Sequence, residues 1–446
     1  MPNNRQINEL SVIIHIINII KRKKADTLYR FIIATALVLT GVTYNAYADD
    51  IKVEFSGFAS LALSYSDDPD IAFSPNYLNI DDTGWSATRD SILGGQANIT
   101  LAKNWDSVVQ FVLEDHANTD FENYLELAFL RYRPSRNWAI RAGRLNSDLY
   151  LFSEYPHVGY AYLWVRPPHE YYSFASTAGN FDGVDIEYSQ SINDGFLRLK
   201  LAAGNTTAKL KASGKDFFID FDHLMTFSAT YIFDAWTMRF SVSQADVGDY
   251  KFEALNEFID LLNSVPAPVW PQAASLSASF DTKNHSIEYA ALGLTYDNDN
   301  WLIQSEIGIS ESPWLVASSN INGYVSVGYR LDKVTLFSSV SISKNRHKIT
   351  KVTAPQFPPG TPIQVTFPLQ QLALASKEAV DRLVVHQHSI NVGAKWQASD
   401  NLIVKAQIDH FDIQPFGGGL WGISDPENVE KEHRINVFTI SANMVF

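Results

Sequence analysis

The residues from 437 to 445 alternate strictly between two kinds of side chain. One set is apolar and the other is mostly polar, and an aromatic residue, Phe446, closes the sequence. The apolar set is Phe438, Ile440, Ala442 and Met444, and the other set is Val437, Thr439, Ser441, Asn443 and Val445. Successive side chains of a β-strand point to opposite faces, so this strand has one lipid-like and one water-like face. That pattern is typical of a strand in a transmembrane β-barrel.

The same alternation recurs from Asp50 onward, in segments of about ten residues separated in turn by short turns and long polar connections. The short turns fall near residues 103–106, 134–137, 192–195, 234–235, 297–300, 331–333 and 397–401. These seven turns join fourteen strands, and a first and a last strand bring the total to sixteen, an even number as in bacterial barrels. We therefore predict an all-β fold: a 16-stranded antiparallel transmembrane β-barrel with short periplasmic turns and long extracellular loops.

Aromatic residues lie beside the short turns and at the chain end: Trp105, Trp138, Phe196, Phe233, Trp236, Tyr296, Trp301, Trp396 and Phe446. Amphipathic rings prefer the headgroup level of a membrane, so these residues indicate one membrane interface. A soluble β-sandwich is the alternative fold, but it gives aromatic residues no reason to gather at one end of successive hairpins. Two long connections also show helical periodicity, and we expect their helices to cap or line the pore mouth. Their apolar residues are Phe252, Leu255, Phe258, Ile259 and Leu262 in one, and Leu369, Leu372, Val380, Leu383 and Val384 in the other.

The N-terminus predicts an export signal. A basic region at residues 21–30 precedes the apolar run 31–43, and Ala46-Tyr47-Ala48 forms an A-x-A cleavage site. We assign residues 1–48 to a signal peptide with an N-terminal extension and residues 49–446 to the barrel domain. An over-extended gene start and an unusually long signal are both compatible with the extension.

Composition excludes several other classes of protein. The chain carries a net charge of −14 at pH 7, which argues against nucleic-acid binding, and it has no cysteine, which excludes disulfides and thiolate chemistry. No GxSxG, HExxH or phosphate-binding glycine loop is present, so we expect neither an enzyme nor a cofactor. His386 and His388 share one strand face, but two histidines without a clear third ligand do not predict a metal site.

Alternation also predicts which charges face the lumen. It places Arg141, Arg198, Lys200 and Arg239 on inward positions. An arginine facing lipid near the midplane would cost roughly 2–4 kcal/mol, which favours the same assignment. The side of Arg131 and Arg133 stays open because the alternation breaks before them.

In its architecture the chain resembles the general diffusion porins of Gram-negative outer membranes, whose third loop follows strand five and folds into the lumen. Here Gly143-Arg144 leads into a long connection with Asp148 and Glu154. The resemblance implies that these two acids face a basic cluster across a narrow eyelet. The implied cluster is Arg141, Arg144, Arg198, Lys200 and Arg239. The connection departs from the family by having Ser153-Glu154-Tyr155-Pro156 in place of Pro-Glu-Phe-Gly-Gly, and Ser441 and Met444 replace the family's usual residues in the last strand.

The resemblance also implies an outer-membrane location, a homotrimer and a role for Phe446 in recognition by the barrel-assembly machinery. Outer-membrane lipid, lipopolysaccharide and small hydrophilic solutes would be the other partners. We expect a porin for passive diffusion of small hydrophilic solutes and ions. The alternatives are a channel selective for anions such as phosphate or organic acids and, from another class, a barrel enzyme or an adhesin or receptor.

Overall fold

The computed structural model describes residues 47–48, 51–73, 83–115, 121–173, 179–212, 215–251, 253–282, 285–317, 319–347, 350–423 and 425–446. Most of the predicted signal peptide, residues 1–46, lies outside the described residues, so the domain boundary at residue 48 stays a prediction. Phe252 of the first helical stripe also lies outside them.

Sixteen long strands are present in the described part of the chain. They are β1 (Ile51–Ser66), β2 (Ile92–Ala102), β3 (Trp105–Leu113), β4 (Leu125–Tyr132), β5 (Trp138–Asn146), β6 (Asn180–Ile192), β7 (Gly195–Ala212), β8 (Lys215–Phe233), β9 (Trp236–Lys251), β10 (Ser286–Asp297), β11 (Trp301–Glu311), β12 (Asn320–Leu331), β13 (Val334–Asn345), β14 (Val385–Ser399), β15 (Leu402–Gly418) and β16 (His433–Val445). Short strands add Tyr47–Ala48 and Trp85–Ser86, which pair with β1, and Ile71–Ala72, which pairs with Gly422–Ile423.

Each long strand pairs antiparallel with the next, and β1 also pairs with β16, with Phe58 opposite Val445 and Ser66 opposite Val437. The sheet is thus closed into a barrel, which leaves no unpaired edge for lipid to meet. The predicted fold class and strand number are confirmed.

The short turns lie where the sequence predicts them. Asn193, Asp234 and Asp332 begin two-residue turns with φ of 53°, 50° and 53°, a left-handed conformation that Asn and Asp tolerate and that tight hairpins require. Aromatic rings beside the turns meet across neighbouring strands. The ring centroids of Trp105 and Tyr132 are 4.5 Å apart, and those of Trp236 and Tyr296 are 4.6 Å apart. These pairs form a girdle at one end of the barrel.

The long connections carry six helices in their described parts: α1 (Phe121–Tyr124), α2 (His169–Tyr172), α3 (Glu253–Asn263), α4 (Ala273–Phe280), α5 (Ile363–Arg382) and α6 (Pro426–Val429). The described residues of the first predicted stripe lie on α3, and Leu369, Leu372 and Val380 of the second lie on α5, whereas Leu383 and Val384 follow its end. Leu262 of α3, Phe280 of α4 and Val380 of α5 are buried in one apolar cluster. The helices thus pack on one another into a small cap. No helix in the described residues is both long and apolar enough to cross a membrane.

The two faces of the wall differ as the alternation predicts. Phe438 and Ile440 of β16 are exposed on the outside, whereas Thr439 and Ser441 point inward. The inward side chains are nevertheless almost inaccessible to solvent around much of the barrel, because a segment of the chain lies inside it.

Candidate functional site

Residues 147–173, here called the inner segment, leave β5 and fold into the lumen before the chain returns to β6. Trp164 is fully buried, and its indole Nε1 donates to the Ser326 hydroxyl of β12 at 2.8 Å. The Val165 amide donates to Gln407 Oε1 of β15 at 2.8 Å. The inner segment is therefore fixed to the barrel wall by hydrogen bonds that only a lumen-facing polar wall can supply.

Asp148 anchors the start of the inner segment. Its carboxylate accepts a hydrogen bond from the Ser228 hydroxyl at 2.6 Å, lies 3.2 Å from Lys200 Nζ and pairs with the Arg239 guanidinium. The side chains of Asp148 and Lys200 are only 5% and 4% exposed. Burial alone would raise the pKa of Asp148, but the charges of Lys200 and Arg239 lower it well below its usual range. Two cations and one carboxylate thus lock the segment to β7 and β9.

Glu306 of β11 accepts hydrogen bonds from the inner segment. It accepts hydrogen bonds from the Leu151 amide at 2.9 Å and the Tyr324 hydroxyl at 2.8 Å, and also from the Tyr172 hydroxyl. Aromatic rings pack around it, with Phe152 and Trp164 in an edge-on contact at 5.7 Å. A buried carboxylate needs such donors, because it would otherwise lose its hydration without replacement.

A second buried ion cluster holds the far end of the inner segment. Arg166 donates to Asp409 of β15 at 2.5 Å and to both carboxylate oxygens of Asp90 at 2.7–2.8 Å, and it lies 5.1 Å from the centre of the Phe73 ring. Glu170 accepts hydrogen bonds from Ser341, Gln387 and Ser389 of β13 and β14. These contacts fasten the segment on the opposite side from Asp148.

Lysines of the wall bind backbone carbonyl oxygens of the inner segment. Lys405 Nζ donates to the carbonyl oxygens of Gly159 at 2.6 Å and Trp164 at 2.5 Å, and Lys395 Nζ donates to that of Tyr162 at 3.2 Å. A Cβ built on Gly159 would stand 2.5 Å from the Ser60 hydroxyl oxygen of β1. Only glycine permits so close an approach of this turn to β1.

Other charges of the lumen remain accessible. Arg198 of β7 pairs with Glu154 of the inner segment at 2.5 Å, with 23% and 43% of the two side chains exposed. Arg141 of β5 pairs with Asp185 of β6 and also lies over the Phe129 ring at 5.3 Å. Near the short-turn end, Arg131 and Arg133 share one partner, Asp106, at 2.6 and 2.5 Å. Because Asp106 and Arg131 are directly opposed on β3 and β4 and Asp106 is buried, this group faces inward, which settles the side that the sequence leaves open.

The structure thus separates the residues that the resemblance groups into one eyelet. Asp148, Lys200 and Arg239 meet, but as a buried lock, whereas 43%, 23% and 19% of the side chains of Glu154, Arg198 and Arg141 stay exposed. Glu154 lies next to both groups, because its Oε1 is also 3.9 Å from Lys200 Nζ. Arg144 does not join either group. It is still within β5, three residues after Arg141 and therefore on the opposite face, where it pairs with Asp182 at 2.8 Å.

Several residues that fix the inner segment are not singled out by the sequence as parts of a site. Arg166 and Glu170 follow no motif, since their partners lie more than 70 residues away in the chain. Glu306 lies on the inward face of β11, and the alternation of the sequence gives no sign of the tyrosines that donate to it. Among the described residues, no group of three or more His, Cys, Asp or Glu has an arrangement suited to a metal ion.

Comparison with known proteins supports the fold. No family model matches the chain, and no curated protein sequence matches it. The outer membrane channel DcaP of Acinetobacter baumannii is 12% identical, with a TM-score of 0.51, covering 91% of this chain and 100% of that chain. OmpF of Salmonella typhi, in complex with daunomycin, is 11% identical, also with a TM-score of 0.51, covering 90% and 100%. At such low identity the similarity shows the fold alone, and that fold is the porin-like barrel.

Proposed function

We propose that the protein is an outer-membrane porin through which small hydrophilic solutes and ions diffuse passively. The observation that carries this proposal is a closed sixteen-stranded barrel with an apolar outside and a charged, hydrogen-bonding inside. Barrels of about sixteen strands are wide enough for an aqueous channel. Arg141, Glu154 and Arg198 inside this barrel stay partly exposed beside the inner segment, as a water-filled passage requires.

The accessible charges indicate where solutes would pass. Glu154 projects from the inner segment toward Arg198, and Arg141 lies on the neighbouring wall. Opposed charges in a confined pore orient dipolar solutes and select ions. Buried Asp148, Lys200 and Arg239 would act on selectivity only indirectly, by holding Glu154 in place.

Conductance in a planar lipid bilayer tests this proposal. We expect purified protein to form channels whose conductance rises with KCl concentration without saturation, and whose reversal potential in a KCl gradient shows weak selectivity. Protein denatured before addition is the control. Absence of conductance would refute the channel, and saturable conductance with strong anion preference would refute the general porin.

One observation favours the second candidate, a channel selective for anions such as phosphate or organic acids. Arg131 and Arg133 share the single carboxylate of Asp106, so this group carries excess positive charge near the short-turn end. Side chains of both arginines are partly exposed, so a passing anion could reach them. If the double variant R131Q/R133Q moves the reversal potential toward cation preference, while R136Q in the neighbouring turn leaves it unchanged, this group contributes to selectivity.

A barrel enzyme is less well supported. The described residues include a His–Asp pair with His223 Nδ1 3.1 Å from Asp246, but both side chains are largely exposed. Hydrolysis needs a shielded site with a nucleophile or an activated water. We therefore propose a channel and not an enzyme. An adhesin or receptor would use the helical cap, but that function leaves the charged lumen unexplained.

The remaining predicted properties stay proposals that follow from the porin function. They are the Gram-negative outer-membrane location, contact with lipopolysaccharide, assembly by the barrel-assembly machinery and a homotrimer. The mass of the protein in detergent micelles, measured by light scattering with detergent subtracted, tests the trimer.

A further inference from the structure

The contacts of the inner segment that are described above reach β1, β7 to β9 and β11 to β15. The side chain of His157 connects the inner segment to β3 and β4. His157 Nε2 lies 3.2 Å from Glu126 Oε1 of β4, and its Nδ1 lies 3.4 Å from Glu114 Oε2, immediately after β3. His157 is therefore the bridge between the segment and the β3–β4 wall.

The geometry requires a charged imidazole. Both ring nitrogens face carboxylate oxygens, and only the cationic form of histidine donates from both nitrogens. Burial opposes the charge, but Glu126 and Glu114 together raise the pKa of His157 well above its ordinary value. The side chains of His157, Glu114 and Glu126 are 17%, 12% and 8% exposed, so water screens the pairs only weakly.

The surroundings hold the carboxylates in place. Asn180 Nδ2 donates to the second oxygen of Glu126 at 3.1 Å, which fixes that group against β6. Tyr162 is a further titratable group in the charge field of Glu114, and its hydroxyl donates to the Tyr155 carbonyl oxygen at 3.0 Å. The protonated imidazole of His157 thus joins the inner segment to the carboxylates of Glu114 and Glu126.

The contact of His157 with Glu126 lies nearer the long-loop end of the barrel than Arg131 does. Glu126 is at the long-loop end of β4, whereas Arg131 is at its short-turn end. The bridge thus joins the inner segment to the β3–β4 wall at the long-loop end of the barrel. We propose that His157 is a positioning residue that holds the inner segment against this wall and so narrows the lumen, and that release of its two ion pairs widens the lumen. This inference rests on the proposed channel function.

The test is single-channel conductance as a function of pH for the wild type, H157N, and the double variant E114Q/E126Q. H347N is the matched control, because His347 also pairs with a glutamate, Glu311 at 2.7 Å, but outside the inner segment. We expect the wild type to gain conductance at alkaline pH, once His157 loses its proton and one of its two donors. Both bridge variants should conduct at neutral pH as the wild type does at alkaline pH, and they should lose the pH step. H347N should retain it.

The outcomes separate the two proposals. Absence of conductance from the wild type at any pH overturns the channel and the bridge together. Conductance that has the same value and the same pH profile in the wild type and both bridge variants overturns the bridge alone. If H157N fails to fold, E114Q/E126Q still decides, because it removes the same ion pairs while keeping the histidine.

Discussion

Replacing Asp148 by asparagine should release the start of the inner segment. The carboxylate is 5% exposed and pairs with Arg239 and with Lys200 at 3.2 Å, so its loss leaves two buried cations with fewer partners. Removing one partner of a buried ion pair costs about 3–5 kcal/mol. Lys200 keeps Glu187 at 3.6 Å and Glu154 at 3.9 Å, which places the expected cost at the lower end of this range. Since about 1.4 kcal/mol is a tenfold change in an equilibrium constant, the docked segment should be destabilised by about two powers of ten.

The matched control is E154Q, which removes a carboxylate of the same segment that is 43% exposed and costs about 0–1 kcal/mol. The assay is the rate of proteolytic cleavage within residues 147–173 in detergent micelles, where cleavage follows the population of the undocked segment. Electrophoretic migration of the unheated protein verifies that the barrel stays closed in both variants. Equal cleavage rates for D148N and E154Q would refute the assignment of Asp148 as the buried lock.

Three further outcomes are expected. R198Q should shift the reversal potential toward cation preference with little change in cleavage of the inner segment, because the pair of Arg198 with Glu154 is partly exposed. K200M should raise cleavage strongly, because Lys200 is buried against Asp148. Equal effects of the two variants on cleavage would contradict this difference in roles. The lowered pKa of Asp148 means that its stabilising charge is present above the ordinary aspartate pKa and is lost only as pH falls through the lower folded value. Acid release of the segment, followed by cleavage with pepsin, should therefore begin well below pH 3.8 in the wild type and be absent as a separate step in D148N. Deletion of Phe446 should reduce the amount of assembled barrel in the membrane fraction while channels that do assemble keep their selectivity, and altered selectivity would contradict a role confined to assembly.

Strands and turns were predictable because each depends on neighbouring residues. Alternation of Phe438, Ile440 and Ala442 with Thr439 and Ser441 is a local property, and a strand in a membrane must send these sets to opposite sides. Turn residues such as Asn193 and Asp234 act over two positions. The strand number therefore followed from the sequence, as did the inward direction of Arg141, Arg198 and Arg239.

The roles of the inward charges were not predictable in the same way. Alternation gives Lys200 and Arg198 the same face, yet one is locked on Asp148 and the other meets water beside Glu154. The difference depends on the path of the inner segment, whose contacts join residues far apart in the chain. Arg144 shows the converse: the resemblance places it in the eyelet, but it lies within β5 three residues after Arg141, and alternation turns its side chain outward.

By itself, the sequence determined a closed barrel with one apolar and one polar face. Apolar and polar side chains alternate between adjacent residues, and a membrane permits few folds other than a barrel for strands of this kind. Only the tertiary structure decided what the lumen contains. The inner segment pairs with residues far from it in the chain: Arg166 with Asp90 and Asp409, Tyr172 with Glu306, and His157 with Glu114 and Glu126. These pairs depend on burial, because a charge removed from water is costly unless the folded chain places an opposite charge or a hydrogen-bonding group beside it.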